Sequence, residues 1–416
     1  MSIEKRVRKM SNRNIPKIRF KEFINKWNNY KLGRLGNFKS GIGFPDSQQG
    51  GTEGIPFFKV SDMNNIGNET EMRNANNYVT QEQIMKNSWK VINETPAIIF
   101  AKVGAALMLN RKRLVTKSFL IDNNTMSYSF DESWDKDFGL TLFQTINLPK
   151  YAQIGALPSY NASDIAMIKV NVPNVQEQSA IGSLFRTLDD LLASYKENLA
   201  NYQSLKATML SKMFPKAGQT VPEIRLDGFE VEWEEVNLGT LIDNRDEIIS
   251  GASGFPIATS SRKGLYLQND YFEGGRTGID LTLDFHRVPM GYVTYRHMSD
   301  DSIFKFNKNN FETDVLVSKE YPVFISNDSS DIDFLLYHLN NSRLFLKFST
   351  MQKLGGTRVR LYYKNLITYK LAVPTIREQQ AIGSYFSNLD NLITAHQEKI
   401  SQLEKLKKKL LQDMFI

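Results

Sequence analysis

The chain has 416 residues, 41% of them apolar and none cysteine, so it can bury two ordinary cores but can form neither a disulfide framework nor a thiolate metal site. Its formal net charge of +7 is carried entirely by the first 21 residues, where Lys5, Arg6, Arg8, Lys9, Arg13, Lys17, Arg19 and Lys21 stand against Glu4, so any DNA surface elsewhere must be a local patch. The start has no apolar signal core, and the greasiest run, TPAIIFAKVGAALML, is broken by Lys102 and Gly104 and falls short of a bilayer span, so neither secretion nor membrane insertion is expected and a soluble protein of the reducing cytoplasm is.

Residues 1–15 read as a solvated basic tail. A first α+β domain is expected over 16–172, opening on PKIRFKEFINKWNNYKLGRLGN at Pro16. The Gly-rich SGIGFP at Ser40 has neither GxGxxG nor GxxxxGK[ST] spacing, and a turn between strands fits it better than a phosphate cradle. Strand patterns follow at IPFFKV, AIIFAKV and RLVTKSFLI, a helical one at FGLTLFQTI, and the domain closes on the extended run IAMIKVNVP.

Residues 173–214 predict one long helix. Asn174 and Glu177 hold the N-cap and N3 places of a capping box. Beyond them Ile181, Phe185, Leu188, Leu192, Tyr195, Leu199, Tyr202, Met209 and Met213 keep a three-and-four spacing, a heptad seam. Lys206 interrupts the seam with Leu205 beside it, so the stripe shifts or loosens toward the C-terminal end. The Pro- and Gly-containing segment at 215–222 is a linker.

The pattern then begins again. PEIRLDGFEVEWEEVNLGTLID from Pro222 answers the opening at Pro16, and a second α+β domain is expected over 223–373. It carries SGASGFP at Ser250, a strand pattern at GYVTYRHM, a helical one at DFLLYHLNNSRLFLKF, and a closing LITYKLAVP. Residues 374–416 repeat the long helix without a gap: Thr375 and Glu378 at the cap, then Ile382, Phe386, Leu389, Ile393, His396, Ile400, Leu403, Leu410 and Met414, with Lys407 in the place of Lys206. Each helix would extend about 60 Å at 1.5 Å per residue and needs a partner for its stripe. The other copy, antiparallel, is the simplest; packing on its own domain, or homodimerisation, are alternatives. His396 on the seam reads as packed rather than catalytic.

The order of variable domain, P...EQ..I helix, variable domain, P...EQ..I helix resembles the specificity subunit of type I restriction-modification systems. The resemblance covers nearly the whole chain from Pro16 and rests on VPNVQEQSAIGSLFRTLDDLL, VPTIREQQAIGSYFSNLDNLI, IPFFKVSDM and the F...W....LG.L entrances. It implies two target-recognition domains, each reading one half of a split, asymmetric site in double-stranded DNA. It also implies helices that pair as an antiparallel coiled coil, through Ile181, Phe185, Leu188, Leu192 and Leu199 and through Ile382, Phe386, Leu389, Ile393 and Ile400. The coil would space the halves and dock two methyltransferase (modification) subunits. Two restriction/translocase subunits would join for cleavage, with S-adenosylmethionine, ATP and Mg on partner subunits and no cofactor here.

Base readout favours Arg on guanine and Asn or Gln on adenine, with Lys and Ser on phosphates. Clustering nominates Lys102, Asn110, Arg111, Lys112, Arg113 and Lys117 in the first domain. In the second it nominates Ser260, Arg262, Lys263, Lys353, Arg358 and Arg360, with Arg276 and Arg296 weaker. GGTRVRLYYKNL replaces the first domain's GALPSYNASDI, so contacts made by Arg358 and Arg360 must be made differently there. A methyltransferase's NPPY or DPPY loop is missing, and His286, His297, His338 and His396 lack metal-ligand spacing. A non-catalytic DNA reader is therefore expected. The rival readings are an enzyme with degenerate motifs and a two-headed protein adaptor.

Overall fold

The apolar runs of the first repeat condense around Trp27, which is 1% exposed. In this computed structural model, which describes residues 14–153, 157–271, 280–353 and 358–416, the chain divides into two units. One is Met1–Lys196 with Glu398–Ile416, the other Glu197–Gln397.

The first unit runs β1 (Asn28–Lys31), β2 (Gly36–Ser40), β3 (Ile55–Phe58), β4 (Tyr78–Val79), α1 (Gln81–Asn87), β5 (Ala97–Ala101), α2 (Ala105–Met108), β6 (Lys112–Val115), β7 (Leu120–Ile121), β8 (Thr125–Phe130), α3 (Lys136–Thr145), α4 (Ala162–Ala166) and β9 (Lys169–Val172), then enters α5 (Val175–Lys212). An antiparallel sheet of order β2-β8-β5-β6 forms its centre. Every residue of β5 is buried, which its AIIFA sequence allows. Asp135 caps α3 by accepting from the amides of Asp137 and Phe138, and the helix lays Phe143 on Phe100, Tyr128 and Phe130. RLVTKSFLI, expected as one strand, splits into β6 and β7, because β7 turns away to pair in parallel with β3. IAMIKVNVP is helical through Ala166 and extended only from Lys169. In the SGIGFP loop a Cβ on Gly41 would lie 1.7 Å from the Asp122 carbonyl oxygen, so only glycine lets these backbones cross.

The second unit contains β10 (Glu234–Asn237), β11 (Ile242–Asn244), β12 (Ile248–Ser250), β13 (Ala258–Ser261), β14 (Gly264–Leu267), α6 (Gln268–Tyr271), β15 (Asp284–Val288), β16 (Val293–Tyr295), β17 (Met298–Ser299), β18 (Phe306–Lys308), β19 (Val315–Ser318), β20 (Val323–Ser326), α7 (Ile332–Asn341), α8 (Arg343–Met351), β21 (Val359–Arg360), α9 (Tyr363–Leu366) and β22 (Lys370–Val373), followed by α10 (Ile376–Asp413). Its central sheet, β11-β20-β16-β18, repeats the order of the first, and β10 pairs β22 as β1 pairs β9. The single helical pattern DFLLYHLNNSRLFLKF becomes two helices because Ser342 is extended (ψ 126°) and its hydroxyl caps α8 through the amides of Leu344 and Phe345.

The unit boundary falls within both 38-residue helices, so each unit holds the first half of one and the last half of the other. In the first unit Phe185 meets Phe415, which also packs on Trp27 and Phe138. In the second, Met213 and Phe214 join Trp233, Phe334, Ile382, Phe386 and Leu389 in one core. This explains the MF that ends each copy. Ile181, Phe185, Leu188 and Leu192 are likewise buried. Ile400 is buried at the far end, while Leu199 and Ile393 are half-buried.

The lysines on the seam are matched rather than tolerated. Lys407 pairs with Asp189 and Lys196 with Glu404 in the first unit; Lys206 pairs with Asp390 in the second, where Tyr202 also meets the edge of His396. Within each unit the paired positions run in opposite sequence directions.

Capping differs from the expectation at both long helices. The Asn174 side chain does accept from the Glu177 amide, at 2.9 Å. Glu177, however, does not reach back as the second arm of a box. It receives Arg19 in a two-pronged pair at 2.6 and 2.7 Å and the Trp27 indole N–H at 3.1 Å. Glu378 holds Arg225 at 2.7 and 2.6 Å and Trp233 at 3.4 Å in the same way. The neighbouring glutamines complete the latch. Gln178 accepts from the Asp135 amide and donates to the carbonyls of Ser133 and Pro173; Gln379 does so with Asp331, Ser329 and Pro374. The EQ pair thus ties each long helix to its domain's entrance and to the cap of its short helix.

Candidate nucleic-acid interface

Three distant segments of the second unit bring arginines to one edge. Met298 of β17 stands opposite Arg360 of β21, with Arg358 just before that strand and Arg296 just before β17. The tight β13–β14 turn presents Arg262, whose two terminal nitrogens donate to Asp301 at 2.8 and 2.5 Å. Nε of Arg358 donates to Asp300 at 2.9 Å. Arg296 and Arg360 are exposed and have no side-chain partner among the described residues. They flank His297, which is 5% exposed and stacks on Tyr362 at 5.6 Å. Burial, with Arg360 and Arg296 adding to it against Glu320, pushes the His297 pKa below its ordinary value, so the ring favours its neutral form.

Asp301 is firmly held. Its Oδ1 accepts from the Ser299 hydroxyl at 2.8 Å and from the Ile303 amide at 3.1 Å. The intervening Ser302 has φ +67°, and its carbonyl accepts from Ser349 at 2.7 Å. Burial opposes the charge on Asp301, but the bonds from Ser299, Ile303 and Arg262 together hold its carboxyl below the usual value.

Other nominated residues of this unit lie elsewhere. Ser260 is turned inward, its hydroxyl accepting from Asn307 at 2.8 Å, so it cannot reach a phosphate. Lys263 shares the exposed turn with Arg262, and Lys353 is exposed just after α8. Arg276 lies outside the described residues.

The first unit uses the same backbone with different side chains. The Tyr160 amide donates to the Lys102 carbonyl as the Leu361 amide does to that of His297, and Val103 bridges Ser159 as Met298 pairs Arg360. Lys102 therefore occupies the place of His297, and Ala101, Leu157 and Ser159 those of Arg296, Arg358 and Arg360. Leu157 is 61% exposed. Among the described residues the cation at this edge position is Lys102, which donates to Ser40.

The NRKRLVTK segment divides by burial. Lys112 is set aside as a DNA contact: it is 5% exposed, and its ammonium donates to the Ile146 carbonyl at 2.5 Å, at the end of α3, and to Asn110 at 2.8 Å. Burial pushes its pKa down to about 7. Asn110, at φ +53°, also accepts from the Leu148 amide and so braces this turn. Arg113 is half-buried against the carbonyls of Lys112 and Met63, and burial, with Arg111 adding to it, lowers its pKa. Arg111 reaches Asn64, and Lys117 is exposed. The Arg111 contact brings in a loop that sequence reasoning passed over. Residues 64–77 hold six asparagines, a donor-and-acceptor density that was legible in the sequence and suits adenine.

Among the described residues, no acidic or histidine group could hold a metal ion, and no helix is long and apolar enough to cross a membrane.

Residues 24–202 and 264–405 match the family described as the type I restriction modification DNA specificity domain. In Methanocaldococcus jannaschii, the protein named as specificity subunit of the type I restriction enzyme MjaX is 23% identical over 65% of this chain and 64% of its own length. The type I restriction enzyme MjaVIII specificity subunit is 22% identical over 61% of this chain and 63% of its own. The chain thus spans just under two thirds of these relatives. A type I restriction-modification S subunit from M. genitalium shares the fold with a TM-score of 0.58 at 14% identity, covering 97% of this chain and 99% of that one.

Proposed function

Because the chain belongs to the type I restriction modification DNA specificity family, we propose that it is the DNA-reading subunit of such a system, each unit reading one half of a split, asymmetric site. The observation that carries this is the repeated edge: one backbone register bearing Arg296, Arg358 and Arg360 in the second unit and Ala101, Leu157 and Ser159 in the first. A frame built twice with unlike side chains at one edge suits a target whose halves differ.

Arg262, Arg296, Arg358 and Arg360 are the readers of the second half, with Lys263 and Lys353 on phosphates. Arg111, Arg113, Lys102 and Lys117, with the asparagine loop, serve the first. The long helices set the spacing and offer the surface on which two methyltransferase subunits dock, and two restriction/translocase subunits join for cleavage. S-adenosylmethionine, ATP and Mg belong to those partners, in the cytoplasm, and the chain itself is non-catalytic.

Selection of a randomised DNA pool by the full chain, co-purified with its modification subunits, tests this. A split motif with a fixed gap is expected. Enrichment of no motif, or methyl transfer by the chain alone with S-adenosylmethionine, would overturn it.

A further inference from the structure

Two carboxylates stand where a DNA-binding edge should have none. Asp300 and Asp301 lie among four arginines and oppose phosphate binding, which depends on net positive charge. Stability does not account for them, because exposed ion pairs contribute little, and both aspartates and both of their arginines are exposed. Orientation does. Asp301 is itself fixed by Ser299 and the Ile303 amide, on a turn whose Ser302 carbonyl is held by Ser349. It takes Arg262 through both terminal nitrogens and leaves Nε without a partner. A guanidinium so clamped presents its Nε edge in one direction, and a guanine offers O6 and N7 to such a pair of donors.

We propose that Asp301 is a positioning residue that fixes Arg262 to read a guanine in one half-site, lowering non-specific phosphate attraction in exchange for base discrimination. The inference rests on the second unit's being a DNA reader. It separates the units by mechanism: the first unit's Arg111, Arg113 and Lys102 are held by neutral oxygens of Asn64, Lys112, Met63 and Ser40 and not by a carboxylate.

The test is pool selection and competition binding with the full chain and its modification subunits, using Asp301→Asn, Arg262→Ala, Arg262→Lys and the double variant Asp301→Asn/Arg262→Ala. Arg262→Ala should lower the preference for guanine at one position about tenfold or more. Asp301→Asn should weaken the same preference while tightening binding to non-target DNA. The double variant should discriminate no worse than Arg262→Ala. Arg262→Lys keeps the charge and the aspartate but loses the fork, so it should lose the preference without losing non-target affinity. Undiminished guanine preference in Asp301→Asn, with Arg262→Ala defective, would overturn the clamp and leave the DNA-reading role standing. An unchanged motif in Arg262→Ala would overturn the clamp too, and failure of the unaltered chain to enrich any motif would remove the reading beneath it.

Discussion

The two units share their latches and differ at their edges. Arg19, Trp27, Glu177 and Gln178 make the same bonds, atom for atom, as Arg225, Trp233, Glu378 and Gln379, whereas at the edge the second unit has Arg296, Arg358 and Arg360 where the first has Ala101, Leu157 and Ser159. A buried carboxylate facing a guanidinium and an indole cannot lose one partner without stranding another. At the exposed positions of the edge there is no such penalty, so their composition is free to follow what they touch.

The strongest way to break this comparison is to cut a latch. Glu177→Ala or Glu378→Ala leaves a nearly buried arginine without its counter-charge and an indole N–H without its acceptor, and each should cost about 3–5 kcal/mol in denaturant unfolding. Matching losses would confirm that the latches are equivalent, and a loss at one site alone would show that they are not.

A smaller effect separates the units. Gly182 and Gly383 lie against the caps of α3 and α7. A Cβ at Gly182 would come within 2.6 Å of the Phe138 amide nitrogen and 2.5 Å of Asp135 Oδ1, whereas at Gly383 the corresponding distances are 3.2 and 2.7 Å. Gly182→Ala should cost about 1–3 kcal/mol by overpacking, and Gly383→Ala less, as read from unfolding midpoints.

A third probe is pH. Lys112 pairs with Phe100 across the sheet where Phe306 pairs with Tyr295, so the first unit has buried an amine at a place where the second has a ring. With its folded pKa near 7, against an ordinary 10.5, the unfolded chain binds the extra proton between those values. Stability should therefore rise with pH through that window and be flat for this group outside it. Lys112→Met should remove the rise, and a slope unchanged in Lys112→Met would place its source elsewhere.

Most of the frame was legible because it is periodic. The seam and the two prolines located helices at 173–214 and 374–416 that begin and end within three residues of Val175–Lys212 and Ile376–Asp413. What periodicity cannot show is which partner a polar residue meets. Glu177 satisfies the capping-box spacing yet serves Arg19, 158 residues away. Lys206 and Lys407 look like defects in a seam until Asp390 and Asp189 are seen opposite them. At the edge, basic clustering found Arg262, Arg358 and Arg360 but also drew in Lys112 and Ser260, whose burial depends on α3 and on Asn307. Asp300 and Asp301 were passed over because acids do not suggest DNA.

The central claim, that two like frames carry independent readers, is tested most directly by motif selection with Arg296→Ala/Arg360→Ala beside the unaltered chain, both with modification subunits. The expected result is a split motif in which one half relaxes while the other half and the gap stay as they were. Relaxation of both halves together, or a motif indifferent to the loss of both arginines, would contradict it.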